Sequence, residues 1–442
     1  MSQHAFDQRP HRTLLVLSVP VLLSLIAEPL TALVDTAFVS ELGDGPMAAL
    51  GVGTTLLSAV FWIFNFLSVG TQSEVARFAG AGQLDRARDQ NALALTLAGA
   101  FGIGMLVVGW PLAPWFAELM EAKGKTADDA VAYFRIRLFA APAVLLTATA
   151  FGSLRGLQNM RVPMAIALLV NALNIALDAV LILGAGPIPA YGIAGAAWAT
   201  LVAQWIGAGC ALSAVFAALG RPKRLSFEGA PQLLQVGGDM FVRTGLLTVF
   251  LILATRAATR IGDEAGAAHH AIRQVWLFTA LALDALAVSA QSLVGWYLGK
   301  GRTEGARRVA AVCCGWSFGM GAALTAGMAL GEDWVASVLV PSEAHALFAS
   351  AWFWAAWAQP ANALCFATDG LHWGSRDYRY LRNVMILASG LGWLGLRAID
   401  PTHPDALESV WLVTGAWILV RASFGMLRIW PGIGASPFRP SS

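Results

Sequence analysis

The chain has 442 residues, of which 57% are hydrophobic and only 13% are charged, and its formal net charge is +2. Soluble proteins carry about 25% charged residues, so this composition excludes a water-soluble globular protein and indicates a lipid bilayer as the main partner. The near-neutral charge argues against nucleic acid as a partner. The four cysteines lack metal-ligand spacing, and we expect neither a metal site nor a cofactor.

About twelve apolar segments follow one another along the chain, separated by short polar breaks. Most reach the ~20 residues that span a bilayer as a helix, which predicts an all-α polytopic membrane protein. Breaks rich in Arg and Lys alternate with acidic or mixed breaks, so both termini are expected in the cytoplasm and the protein in the cytoplasmic membrane. The segments lie near 13–39, 47–76, 90–117, 130–157, 162–184, 191–219, 231–260, 267–298, 305–330, 344–373, 380–398 and 407–430.

The two halves of the chain resemble each other at a nearly constant offset. Each half holds six segments, so the copies share one orientation and form a parallel repeat, with the substrate expected in a cleft between lobes. We predict an N-lobe over 1–219, a cytoplasmic linker over 220–230 and a C-lobe over 231–442. The matches are 71–88 with 290–307 (offset 219), Pro142 with Pro360 (218), and Arg-Gly-Leu 155–157 with Asp-Gly-Leu 369–371 (214).

The first apolar segment carries two carboxylates, Glu28 and Asp35, and two prolines, Pro20 and Pro29. A carboxylate at the centre of a membrane helix costs roughly 2.5–3.5 kcal/mol on insertion scales, so its presence points to a function. Glu28 and Asp35 are seven residues apart, about two helical turns, and therefore share one stripe of the helix.

The fifth segment places Asn171, Asn174 and Asp178 at i, i+3 and i+7, again on one helical face. Neither Asp35 nor Asp178 has an Arg or Lys within one turn of its own helix. Two neighbouring buried carboxylates resist ionising together. We therefore expect the two aspartates to take up a proton as a pair.

The C-terminal half has its own intramembrane polar candidates. Asp239 and Arg243 are four residues apart in the seventh segment, where they either neutralise one another or serve a function. Asp284 lies in the eighth segment and Asp369 near an end of the tenth, and for Asp369 a structural and a functional role both stay open.

Enzyme motifs are absent or out of context. The stretch GWSFG at 315–319 has the pattern of a nucleophile elbow but lies inside an apolar helix, and we find no triad partner for it. There is no Walker A motif, so ATP hydrolysis is excluded as the energy source. A polytopic membrane enzyme is thus disfavoured, and a secondary transporter of small molecules is predicted.

Six stretches, in order along nearly the whole chain, resemble the multidrug and toxic compound extrusion (MATE) transporters, and more narrowly their DNA-damage-inducible F (DinF)-like branch. The resemblance implies two six-helix lobes that alternate between inward-open and outward-open states, and a protein that is monomeric. The stretches are AEPLTALVDTAFV (27–39), GSLRGLQNMRVPMAIALLVNALNIALD (152–178), GIAGAAWATLVAQ (192–204), GGDMFVRTGLL (237–247), ALDALAVSAQSLVGWYLGKG (282–301) and ATDGLHWGSRDYRYLRN (367–383).

The resemblance implies antiport, in which a substrate leaves the cell while H⁺ or Na⁺ enters, and substrates in this family include drugs, dyes, organic acids and oxidised metabolites. Glu28 and the two aspartates favour an amphiphilic, cationic drug or metabolite. The resemblance assigns proton coupling to Asp35, Asn174 and Asp178, and a hinge in helix one to Pro20. It places Glu28 and Thr200 at the substrate cavity, and Asn171 is expected there because it shares one helical face with Asn174 and Asp178.

The coupling ion and one rival function stay open. Na⁺-coupled relatives carry an acidic residue deep in helix seven, which 243–254 lacks, although Asp369 matches an acidic site in their helix ten. H⁺ is therefore expected, with Na⁺ as the alternative. A lipid-linked oligosaccharide flippase of the same superfamily is the other alternative. It would need a strongly cationic cavity for pyrophosphate, for which Arg243 is the one candidate.

Overall fold

In a computed structural model, residues 4–222 and 226–439 are described, so residues 223–225 of the predicted linker lie outside the described residues. The described residues are almost entirely helical, with one short 3₁₀ turn (Ser342–Ala344) and one isolated β-bridge between Ala185 and Ile188. The α-helices are α1 Ala5–Gln8, α2 Pro10–Ser40, α3 Asp44–Ile63, α4 Asn65–Gly80, α5 Leu84–Leu119, α6 Gly124–Leu138, α7 Ala141–Gly156, α8 Arg161–Leu181, α9 Ile193–Leu219, α10 Ala230–Ile261, α11 Asp263–Gly299, α12 Thr303–Leu330, α13 Glu332–Leu339, α14 His345–Trp357, α15 Gln359–Gly374, α16 Tyr378–Arg397 and α17 Ala406–Ile429.

The helices confirm the predicted all-α membrane fold. Within the described ranges, nine spans are long and apolar enough to cross a membrane, with α3 and α4 together forming one of them. The α6–α7 pair adds a tenth, bent by 48°. The two remaining predicted segments are α14 with α15, which meet at Ala358, and α16, which carries three arginines.

The chain divides into two compact units. The N-unit is Pro20–Gly237, and the C-unit is the described part of Met1–Val19 together with that of Gly238–Ser442. The divisions fall within α2 and within α10.

Within the N-unit, glycines let helices approach to backbone contact. A Cβ at Gly102 on α5 would lie 2.3 Å from the Cα of Pro142 on α7, and one at Gly152 on α7 would lie 2.4 Å from the carbonyl oxygen of Ser68 on α4. Small residues at such crossings allow the close van der Waals packing that holds membrane helices together.

The C-unit repeats these contacts. A Cβ at Gly321 on α12 would lie 2.6 Å from the Cα of Pro360 on α15, and one at Gly370 on α15 would lie 2.3 Å from the carbonyl oxygen of Ala287 on α11. Each of the four residues stands 218 or 219 positions after its N-unit counterpart. The internal repeat is therefore present in the packing as well as in the sequence.

One of the sequence matches used for the repeat is wrong. A Cβ at Gly156 would contact the carbonyl oxygen of Gln72 at 2.7 Å, and one at Gly374 would contact that of Gln291 at 2.4 Å. The counterpart of Gly156 is thus Gly374, 218 positions on. Aligning Arg-Gly-Leu with Asp-Gly-Leu at offset 214 misplaces this helix by four residues, about one turn, which preserves the helical face and so escapes notice in a sequence pattern.

The N-terminal segment is anchored within the C-unit. The Asp7 carboxylate accepts hydrogen bonds from the Tyr297 hydroxyl and from Arg302 Nη1, each at 2.8 Å, and Phe6 beside it is buried. The hydrogen bond from Arg302 holds the pKa of Asp7 below its ordinary value. These contacts tie α1 to the end of α11 and the start of α12.

Replacing Gly102 or Gly321 with Ala should destabilise the protein by about 1–3 kcal/mol, because each new methyl group would overlap proline backbone atoms on the facing helix. Thermal unfolding in one detergent at one scan rate measures the effect as a lower Tm. The matched controls are Gly104→Ala and Gly319→Ala, whose added Cβ meets no atom within 4 Å. An equal loss of Tm in the controls would contradict the packing argument.

Candidate functional site: a carboxylate pair bridged by an amide

In the N-unit, α2 and α8 bring Asp35, Asn174 and Asp178 together. Asn174 Nδ2 donates one hydrogen bond to Asp35 Oδ1 at 3.0 Å and another to Asp178 Oδ2 at 2.5 Å. Asn174 and Asp178 are almost completely buried, while Asp35 is half-buried. A single amide group thus links carboxylates that are far apart in the chain.

The local sequence explains the position of the α8 residues. Ile166, Val170, Asn174 and Asp178 follow one another at intervals of four and are all buried. Residues at this spacing lie above one another on one helical face. The two polar residues therefore extend the buried stripe of α8 and point into the N-unit.

The Asp178 carboxyl group has an unfilled hydrogen-bonding position. Among the described residues no donor reaches its buried Oδ1 atom. The Asp35 and Asp178 carboxyl groups accept from the same Asn174 amide, and each acts electrostatically on the other. The two groups can hold one proton as a pair, and the two carboxylates repel each other when that proton leaves.

Arg137 and Tyr133, both on α6, belong to the same site, and the sequence analysis missed them. The Arg137 charge acts on both carboxylates, and the described residues offer no hydrogen-bond partner to its buried Nε and Nη1 atoms. Tyr133 is buried with its ring against Gly53, and the charges of Arg137, Asp35 and Asp178 act on it. The available signal was an arginine inside an apolar segment, which is as costly as an aspartate.

The other residues predicted for the N-unit lie outside this cluster. Glu28 is exposed, Asn171 is half-buried, and the Thr200 hydroxyl donates to the carbonyl of Ala196 on its own helix at 3.0 Å. Pro20 is buried within α2, which remains a continuous helix through it.

In the C-unit, Asp239 and Arg243 do not pair with each other, although their spacing along the helix allowed it. Asp239 accepts a hydrogen bond from Arg382 Nη1 at 2.6 Å and is not neutralised by Arg243. Arg243 instead donates to Asp369. The two pairs join α10 to α16 and to α15, and Asp284 lies on α11.

Asp369 also binds a second arginine that the sequence analysis did not identify. Arg421 Nη2 on α17 donates to Asp369 Oδ2 at 2.9 Å, and Arg243 Nη2 donates to the same oxygen. All three residues, which we call the Asp369 triad, are 7–8% exposed. The triad holds two positive charges against one negative charge, in a region where each unpaired charge costs roughly 2.5–3.5 kcal/mol on insertion scales.

Comparison with known proteins gives the family. The family described as MatE matches residues 20–180 and 240–394, most of both units. The chain belongs to the MatE family. Members are transporters rather than enzymes, and this chain is a multi-pass membrane protein of the multidrug and toxic compound efflux class. The predicted family is thereby confirmed.

Curated relatives agree with this assignment, and a solved structure shares the fold. The chain is 30% identical to Protein DETOXIFICATION 44, chloroplastic, of Arabidopsis thaliana, over 91% of this chain and 81% of that protein. It is 27% identical to DNA damage-inducible protein F of Escherichia coli, over 89% of each. Its fold matches the outward-facing conformation of a multidrug resistance MATE family transporter with a TM-score of 0.87, at 21% identity over 98% of this chain and 97% of that one.

Removing the Arg137 charge should weaken the N-unit site. Arg137→Gln is expected to lower the stability of the protein when both carboxylates are ionised, because the pair loses the positive charge that acts on both of them. This loss of stability should be smaller at pH 5 than at pH 8, since a protonated pair carries less negative charge for Arg137 to neutralise. Tm values of the variant and the wild type, compared at the two pH values, measure this difference.

Arg135→Gln is the matched control, because Arg135 lies two residues away on α6 and contacts Trp110 instead of the carboxylates. If the Arg137 variant loses the same Tm at both pH values, the arginine does not act through the carboxylates.

Proposed function

We propose that the protein is an H⁺-coupled antiporter that exports amphiphilic small molecules, preferentially cations, by alternating access. It acts as a monomer in the cytoplasmic membrane, with both termini on the cytoplasmic side, and it uses no cofactor other than the coupling ion. Na⁺ is the alternative coupling ion.

The observation that carries the proposal is the double hydrogen bond from Asn174 to Asp35 and Asp178. When neither carboxyl group holds a proton, the site has excess negative charge and attracts a cationic substrate. When a proton enters, that charge is neutralised and the hydrogen bonds of Asn174 rearrange. Proton and substrate then favour different states of the same site, which is the thermodynamic requirement for exchange.

Helix α2 supplies a place for the accompanying movement. Pro20 and Pro29 lack the N–H groups that would bond to carbonyls one turn earlier, so α2 is weakened at two positions. We place the bend that follows protonation near Pro20, on the approach to Asp35.

The C-unit favours H⁺ over Na⁺. Asp369, on α15, matches an acidic site in the tenth membrane segment of the Na⁺-coupled branch. Its Oδ2 atom, however, accepts from both Arg243 and Arg421. Two guanidinium groups at this carboxylate oppose the approach of a further cation. The acidic N-unit pair also argues against a pyrophosphate-binding flippase as the main function.

The test is efflux of a fluorescent cationic dye from membrane vesicles, with a pH gradient or a Na⁺ gradient imposed separately. The wild type should respond to the pH gradient, and Asp35→Asn should reduce that response roughly tenfold or more, since coupling between two ligands is typically 5–150-fold. Glu41→Gln, an exposed carboxylate just beyond α2, is the control and should transport normally.

Dye movement driven by Na⁺ alone would assign the coupling to Na⁺ instead. Undiminished pH-driven efflux by Asp35→Asn would remove this residue from the coupling mechanism.

A further inference from the structure

The Asp369 triad in the C-unit has the properties of an anion-binding site. Arg243 from α10 and Arg421 from α17 converge on one oxygen of Asp369 from α15. The nearby Asp239 does not supply the second negative charge, because its carboxylate is held by Arg382 at 2.6 Å. One carboxylate therefore accepts hydrogen bonds from two buried guanidinium groups.

In the described part of the chain, the Asp369 triad also has a hydrogen-bond donor without a partner, in addition to its excess positive charge. Among the described residues none accepts a hydrogen bond from Arg243 Nε, which is buried within a residue that is only 7% exposed. A buried guanidinium N–H without a partner is uncommon, and it is the group that a planar or tetrahedral oxyanion engages side by side with an Nη atom.

Aromatic rings hold both guanidinium groups in place. Arg243 lies over the ring of Trp373 at 5.3 Å, and Arg421 lies over that of Trp417 at 4.4 Å. Trp417 is itself stacked on Phe250. These cation–π contacts orient the two arginines, so little side-chain freedom is lost when an anion binds.

We propose that Arg243 and Arg421 bind the anionic group, a carboxylate or phosphate, of an amphiphilic substrate. Asp369 occupies this position in the absence of substrate and is displaced from at least one arginine when the substrate binds. The inference extends the proposed export function to acidic and zwitterionic amphiphiles. It concerns binding in the C-unit and does not depend on proton coupling in the N-unit.

The experiment measures binding to the full-length protein in lipid nanodiscs at one pH and one salt concentration. The probes are a dansyl-labelled long-chain carboxylate and the corresponding neutral amide, titrated by fluorescence. The wild type should bind the carboxylate about tenfold or more tightly than the amide, the difference expected for charge-assisted hydrogen bonds to arginine.

Asp369→Asn separates an anion site from a structural ion pair. In the proposed site Asp369 competes with the ligand, so its neutralisation should tighten carboxylate binding about tenfold and make the Tm of the variant rise with added carboxylate. If the triad is only structural, the same variant loses stability, gains no affinity and shows no such rise.

Arg421→Gln should abolish the preference for the carboxylate. Its matched control is Arg428→Gln, two turns further along α17, which breaks another buried ion pair, with Asp377, and should retain the preference. Equal binding of carboxylate and amide by the wild type would overturn the proposal without any variant, and so would an Asp369→Asn protein that does not bind more tightly.

Competition identifies the anion and its source. Dodecyl phosphate that displaces the probe better than dodecanoate assigns the site to phosphate head groups, and the reverse order assigns it to carboxylates. Inorganic phosphate should compete far more weakly than dodecyl phosphate. If it competes equally well, the site binds free anions and the amphiphile assignment is wrong.

Discussion

The constraint on which the rest of this structure depends is the cost of an unpaired charge in the membrane interior. The buried carboxylates described above are matched by polar groups of other helices: Asp239 accepts from Arg382 on α16, Asp369 accepts from Arg421 on α17, and the charge of Arg137 on α6 acts on Asp178. The ionic contacts therefore stabilise each unit by joining helices that are distant in sequence. Apolar side chains could have joined the same helices at lower cost, which is why we place the proposed function at these charges.

Much of the architecture could be predicted because apolar length and charge alternation are local properties. The positions of Asn174 and Asp178 on one face of α8 follow from helical spacing, and the structure places both in the buried stripe. Their association with Asp35 does not follow from spacing, since Asn174 and Asp35 are 139 residues apart. We expected the two aspartates to pair because neither has an Arg or Lys within one turn of its own helix, and the family resemblance added Asn174 to the pair.

The arginines were harder to predict. Arg243 lies one turn from Asp239, which suggested a local pair, but each of them bonds to a different helix. Arg137 and Arg421 were visible as charges within apolar segments, yet a sequence does not reveal which helical faces meet. A partner on a distant helix is a tertiary property, and it determines whether a buried charge is neutralised, shared or left in excess.

The two units carry opposite charge ratios on a common scaffold. The N-unit site combines two aspartates with one arginine, and the C-unit site combines two arginines with one aspartate. Because these residues do not occupy equivalent repeat positions, the internal symmetry of the helices does not extend to their electrostatics.

The backbone contacts at Gly152 and Gly370, and at Gly156 and Gly374, have a use beyond stability. They are fixed reference points that align positions in one half with positions in the other, even where the residue types differ. Alignment of the two halves of this chain can begin from such crossings. Matching Arg-Gly-Leu to Asp-Gly-Leu shifts the alignment by one helical turn, so backbone contacts align the two halves more reliably than residue identity does.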